Sequence, residues 1–215
     1  SGNPSNRAIL SNAGGPVFLG GGCGTYVSSN PPLVLDGLDV TGSTISLKGA
    51  FHFASDFMRF HGPVTLEGNT VLVTDNELLL EQGITSGTTA RALAIEVNGG
   101  GVATVNPLPG NAAAQFSTLD LRPIPGSDGA KIVWSGDAKT TNTSGAAIKV
   151  SAPVHLKGNT KLETSGSSTV DLAATGSIQS FDPATPSKLD IKTLQMTISG
   201  KIGNENPLGG FSLTG

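Results

Sequence analysis

Pro63-Val64-Thr65-Leu66-Glu67-Gly68-Asn69-Thr70 returns ninety positions later as Pro153-Val154-His155-Leu156-Lys157-Gly158-Asn159-Thr160. The shared residues are the proline, a Val/Leu pair spaced by two, and the Gly-Asn-Thr that follows. Spacing by two places both apolar side chains on one side of a β-strand, and Gly-Asn is turn chemistry. The alternate positions drift, Thr65 to His155 and Glu67 to Lys157. A strand-and-turn unit with one fixed face and one free face is the signature of a stacked scaffold, in which each copy covers the apolar side of its neighbour.

Outward from this unit the same rhythm continues. Leu38/Val40, Ile45/Leu47, Leu93/Ile95/Val97, Leu119/Leu121, Ile148/Val150, Val170/Leu172, Leu189/Ile191, Met196/Ile198 and Phe211/Leu213 all alternate with polar residues. Residues 33–215 therefore read as the regular part. Residues 1–32, broken by Asn3-Pro4, Gly14-Gly15-Pro16, the Gly20–Gly24 cluster and Asn30-Pro31-Pro32, read as an irregular N-terminal cap or linker in which only Val17-Phe18-Leu19 has strand character. No window of a dozen residues keeps helical apolar spacing without a Gly or Pro. The best helical candidate, Ala50 to Arg59, competes with the alternation Phe51-His52-Phe53. Aliphatic runs such as Ile178, Leu189, Ile191, Leu194, Met196 and Ile198 separate the chain from disordered sequences.

Strands this short also suit a sandwich, including an immunoglobulin-like pair divided near residue 125, or a barrel. The ninety-residue recurrence favours an all-β parallel β-solenoid. At about 20 to 25 residues per coil, ninety residues make about four coils and the chain about nine or ten. With about 4.8 Å between coils, the rod is on the order of 45 Å long.

Composition agrees. Gly is 30 of 215 residues, charged residues are 13% and aromatic residues 5%, which suits a narrow aliphatic core with many turns. The net charge is −3, and the thirteen basic residues form no stripe along the sequence, which argues against a nucleic-acid partner. No run approaches the roughly 20 apolar residues of a membrane helix, so this segment is expected not to span a membrane. A single cysteine, Cys23, provides no internal disulfide.

The stretch from Pro63 through Leu80, Ile84-Thr85-Ser86-Gly87 and Leu93-Ala94-Ile95 resembles the repeat cadence of filamentous-haemagglutinin-like giant bacterial adhesins. Ile198-Ser199-Gly200-Lys201-Ile202-Gly203, Asn206-Pro207-Leu208 and Phe211-Ser212-Leu213-Thr214-Gly215 look like a step of the same repeats, so the resemblance covers roughly residues 33 to 215. It implies a right-handed parallel β-helix, exported across the outer membrane of a Gram-negative bacterium and used for attachment. Pro107 to Gly110 and Asp182 to Ser187 read as insertions, loops with a task of their own. The bare end at Gly215, inside the cadence, reads as the end of a fragment.

The residues that could carry chemistry each have a plain structural reading. His155 occupies the outward slot that Thr65 holds in the other copy, and His52 and His61 flank Asp56 without zinc-ligand spacing. Among Asp36, Asp39, Asp75, Glu77, Asp120, Asp171 and Asp190, the contexts Leu-Asp-Leu at Asp120 and Leu-Asp-Ile at Asp190 read as recurrent outward positions. Asp75-Asn76-Glu77 supplies too few oxygens for Ca²⁺. Gly20–Gly24 lacks the Lys-Ser/Thr of a phosphate loop, Cys23 has no nearby histidine, and Asn142-Thr143-Ser144 is a glycosylation sequon. Phe51, Phe53, Phe57 and Phe60 read as an internal stack. Trp134 and Tyr26 are the rings suited to stacking on sugar, and together with Asp120 and Asp190 they are the ligand-binding candidates.

The expectation is a non-enzymatic segment of a secreted surface adhesin, without cofactor or metal. Its partners would be surface or matrix polysaccharide or a receptor on a host or neighbouring cell. A β-helical polysaccharide lyase or hydrolase, or a phage tail-spike domain, is the alternative.

Overall fold

Strands whose apolar residues fall on one side must bury that side, and this chain does so by winding. In a computed structural model, which describes residues 7–20, 36–53 and 56–215, every strand pairing is parallel and joins one turn to the next. The fold is an all-β parallel β-solenoid of about eight turns.

Three faces make each turn. Face A comprises residues 37–40, then Phe57–Phe60, Glu77–Leu80, Val102–Val105, Lys131–Trp134, Pro153–Leu156, Ser177–Ser180 and Lys201–Ile202. Face B comprises residues 45–47 and 64–66, then Ile84–Ser86, Ala114–Phe116, Ala138–Thr140, Thr160–Glu163, Lys188–Lys192 and Gly210–Thr214. Face C comprises residues 49–53 and 70–74, then Leu93–Val97, Leu119–Pro123, Ala146–Val150, Thr169–Leu172 and Gln195–Ile198. Numbering only turns with all three faces, turn 1 starts at Gly37, turn 4 at Val102, turn 5 at Lys131, turn 6 at Pro153 and turn 7 at Ser177. A partial turn precedes them and another follows.

The expected nine or ten coils become about eight because turn length varies. Gly37 pairs with Phe57, twenty residues on, whereas Arg7 pairs with Gly37 and Val102 with Lys131, thirty and twenty-nine residues on. The parallel stack also begins before Leu33. The strand Arg7–Gly20 pairs along the strand Gly37–Phe53 and supplies faces A and B of the first partial turn.

The interior is a set of aliphatic columns. Leu38, Met58, Leu78, Ala103, Ile132, Val154 and Ile178 stack in register on face A, and Phe51, Leu72, Ile95, Leu121, Val150 and Leu172 on face C, all buried. Within these columns each apolar side chain is covered from above and below, so burial is nearly complete without a broad core, whereas Ile198, Phe211 and Leu213 in the last turns stay about half exposed. Phe51 and Phe60 are inside on different faces. Phe57 lies outside beneath the Arg59 guanidinium, whose carbon is 4.3 Å from the ring centre, so the four phenylalanines do not form one internal stack. The helical candidate Ala50 to Arg59 forms strand at 50–53 on face C and at 57–59 on face A, with a bend at Asp56. Pairing with the turns on either side satisfies its backbone and overrides any helical tendency. Among the described residues there is no α-helix, only a 3-10 turn at Pro109–Asn111, and no helix is long and apolar enough to cross a membrane.

The recurrence that reveals the fold does not lie on one face. Val64 and Leu66 belong to face B, Val154 and Leu156 to face A. What repeats is a corner. Thr70 and Thr160 each donate a hydroxyl hydrogen bond back to the Gly68 and Gly158 carbonyls, at 3.0 and 3.3 Å. The Asn69 and Asn159 Oδ1 atoms accept the backbone N–H of Ala92 and Lys188 in the following turn, at 3.0 and 2.9 Å. Gly-Asn-Thr therefore ends one face, opens the next, and ties that corner to the turn above it.

Candidate functional site

Both insertions fall on the same edge of the solenoid. In turns 5 and 6 the A–B corner is tight, Ser135-Gly136-Asp137 and Lys157-Gly158-Asn159, with Gly136 at φ 89° and Gly158 at φ 119°. A side chain is disfavoured at these angles, which is why glycine closes both turns. In turn 4 the corner is the long segment 106–113, and in turn 7 it is 181–187. Two long corners thus bracket two short ones, leaving a groove. Asn106, Pro107 and Asn111 line one end, Asp137, Lys157, Asn159 and Lys161 the floor, and Asp190 the far side, around a volume of about 720 Å³.

The groove begins where the face B ladder is interrupted. Residues 84–86 and 114–116 belong to separate sheets, bridged by the Gln115 N–H donating to the Thr85 hydroxyl at 3.0 Å. The 181–187 corner is held at its neck. The Ser187 N–H donates to Ser180 Oγ at 2.9 Å, and the Ser187 hydroxyl donates to the Leu156 carbonyl at 2.8 Å. Within the loop Asp182 accepts the Ala184 N–H and the Thr185 hydroxyl, and the Ala184 bond in particular holds its carboxyl below the usual range. This loop leaves Phe181 42% exposed. The Lys131 and Lys157 ammonium groups lie 5.1 and 6.0 Å from its centre, so Lys157 belongs both to the groove and to the aromatic rim.

Charged side chains on the outward rows are tied together across turns. Glu163 on face B receives Lys161 at 2.9 Å, Lys139 from the turn below at 3.2 Å and Lys192 from the turn above at 3.5 Å. Bonds from Lys161 and Lys139 lower its carboxyl to about 2. Arg59 and Glu77 on face A form a two-pronged pair at 2.7 Å, and the guanidinium holds the Glu77 carboxyl below its usual range. Arg122 on face C bridges Glu96 and Asp120.

The candidates read from sequence are not brought together. Trp134 faces inward, in register between Val105 and Leu156, and its indole N–H donates to the Gly136 carbonyl at 3.0 Å. The ring packs in the core directly behind the groove floor. Asp120 and Asp190 both point outward, but Asp120 pairs with Arg122 on face C whereas Asp190 accepts the Ser212 hydroxyl on face B. Tyr26 and Cys23 lie outside the described residues, as does the His52 side chain.

His155 keeps its outward slot but is half-buried, its Nε2 3.0 Å from the amide nitrogen of the buried Gln179; burial chiefly holds its pKa below 6.5. His61 bridges three turns, Nε2 3.0 Å from Asp39 and Nδ1 2.6 Å from Glu81, and the Glu81 bond chiefly raises its pKa. Among the described residues no group of three His, Cys, Asp or Glu side chains is placed to hold a metal ion.

The geometry adds Phe181 and Lys161, which the sequence did not single out, and Lys157, which it marked only as a drifting outward position. The signal nearest to them was the pair of insertions. Compared with protein-family models, with curated proteins and with solved structures, the chain matches none.

Proposed function

We propose that this chain is a non-enzymatic, rod-like segment of a secreted bacterial surface adhesin that contacts polysaccharide, matrix or a neighbouring cell's receptor through its outward rows and corner groove. The reading also takes the chain to bind no nucleic acid, to span no membrane in this segment and to use no cofactor. The observation that carries it is the groove itself, an open trough over two tight corners, lined by amide, hydroxyl, lysine and carboxylate side chains on an otherwise regular stack. Amides, hydroxyls and lysines spread along such a trough suit a hydrated chain that touches many weak points at once. About eight turns at about 4.8 Å each give a stiff unit of roughly 40 Å, a suitable spacer between a cell and its target.

Binding is favoured over cleavage by the engagement of the groove's carboxylates, Asp137 by the Lys161 N–H and Asp190 by the Ser212 hydroxyl, since a glycosidic general acid must hold a proton to deliver. The two carboxylates lining the groove, Asp137 and Asp190, favour one second reading, a β-helical polysaccharide-cleaving enzyme or tail-spike domain. A glycan array probed with the purified chain, followed by assay of bound glycans for new chain ends, separates the two. Retention of intact glycan is the expected result. Release of fragments that D137N or D190N abolishes would replace the adhesin reading.

A further inference from the structure

The groove lies in a part of the chain whose charge is opposite to the rest. Eight of the thirteen basic residues and six of the sixteen acids fall from Lys131 onward, so these turns are net positive by two while the preceding residues are net negative by five. The surplus sits beside the groove. Lys139, Lys161 and Lys192 share the single carboxylate of Glu163. Lys131 and Lys157 form no ion pair among the described residues and rest instead against the exposed Phe181 ring. The groove's own carboxylates already have donors: Asp137 Oδ1 accepts the Lys161 N–H at 2.8 Å, and Asp190 accepts the Ser212 hydroxyl.

Resting on the polysaccharide-contact reading above, we propose that this groove binds an anionic polysaccharide. Its carboxylate or sulfate groups are met by Lys157 and Lys161 at the groove and by Lys131 at the adjoining aromatic rim, where one of its sugar rings lies on Phe181. The chemistry divides in two. Lysine ammonium groups are mobile point charges that accept either kind of anion and draw it in by a field that salt weakens. The aromatic face supplies apolar contact that salt does not screen, and the Asn106 and Asn159 amides at the groove offer hydrogen bonds to sugar hydroxyls. A neutral glycan would use only the second set, and a flexible nucleic acid strand would engage the charges without matching the sugar contacts.

The test measures binding of the whole chain to polygalacturonate, dextran sulfate, neutral dextran and oligo-dT at about 0.01 M and about 0.15 M ionic strength. Either or both anionic polysaccharides should bind at least tenfold more tightly than dextran and oligo-dT. The K131Q/K157Q variant should lose tenfold or more, chiefly at low salt, and F181A should weaken binding at both salts. K48Q/K149Q, which removes lysines outside the groove, should change nothing, and circular dichroism should show each variant folded. Equal binding of dextran would overturn the anionic assignment and leave the adhesin reading standing. Equal binding of oligo-dT, or indifference to K131Q/K157Q, would also overturn the assignment. Binding to no polysaccharide at either salt would overturn both the assignment and the polysaccharide-contact reading on which it rests.

Discussion

Replacing Asn159 with alanine removes one acceptor and almost nothing else, which makes the repeated corner measurable. Its Oδ1 takes the Lys188 N–H at 2.9 Å across the gap between turns 6 and 7. On this exposed corner the freed N–H turns to water, so the cost is the net value of one hydrogen bond, about 1 kcal/mol, without the penalty of a buried orphan. Asn69 makes the same bond to Ala92, four turns away with no shared partner, so N69A should cost the same and the double variant about 2 kcal/mol. N159D should be spared, because the turn below already uses a carboxylate there: Asp137 Oδ1 accepts the Lys161 N–H at 2.8 Å. Urea titration followed by circular dichroism gives the stabilities. Hydrogen exchange at the Lys188 amide gives the local effect, an acceleration of roughly fivefold to tenfold in N159A for a loss near 1 kcal/mol. Unchanged exchange in N159A, or an N159D variant as damaged as N159A, would refute the corner-tie reasoning.

Three further outcomes follow from the same contacts. His61 gains two carboxylate partners on folding, and its folded pKa lies above the ordinary 6.5. Its contribution is therefore complete below that value and is lost as pH rises through the folded one; H61Q should flatten the decline in stability measured from about pH 6 to 9. Glu163, lowered to about 2 from an ordinary 4.5, stabilises the fold above that ordinary value and loses its effect as pH falls toward 2. E163Q should remove this acid-side loss and, by leaving three lysines uncompensated, destabilise the chain at pH 7 in a way that added salt relieves, read by thermal melts. At the corner entering turn 7, a Cβ on Gly176 would sit 2.3 Å from the Val150 carbonyl oxygen. G176A should cost on the order of 1–3 kcal/mol through forced separation of the turns, visible as a lower urea midpoint.

The solenoid was legible because alternation is local. Val64/Leu66 and Val154/Leu156 declare their inward sides with no knowledge of neighbours, and the structure buries all four. What the sequence hid is phase. The two Pro-Val copies occupy different faces, since a residue's face depends on every turn length before it, and the turn from Val102 to Lys131 takes twenty-nine residues where the turn from Gly37 takes twenty. The groove was illegible for the same reason. The segments around Pro107 and Asp182 are recognisable as insertions, but their meeting on one edge is a product of phase, and Lys157 meets Phe181, twenty-four residues on, only because the next turn brings it there. Trp134 shows the limit for aromatic rings: the alternation Ile132-x-Trp134 pairs the ring with its neighbour's side but does not say which side is core. The outward setting of Asp120 and Asp190 was readable from their flanking aliphatics, their separation onto faces C and B was not.

Successive turns stack in parallel, one step at a time. Val71, Ala94, Asp120, Lys149, Asp171 and Thr197 form one outward row on face C, each in register with the next. Spin labels placed in a C23S background at Val71 and, in turn, at Asp120, Lys149, Asp171 and Thr197 report its spacing by electron–electron distance measurement. Parallel stacking gives a steady increase of about 4.8 Å per step, to roughly 24 Å at Thr197. Distances that fall, or jump out of order along the series, would contradict it.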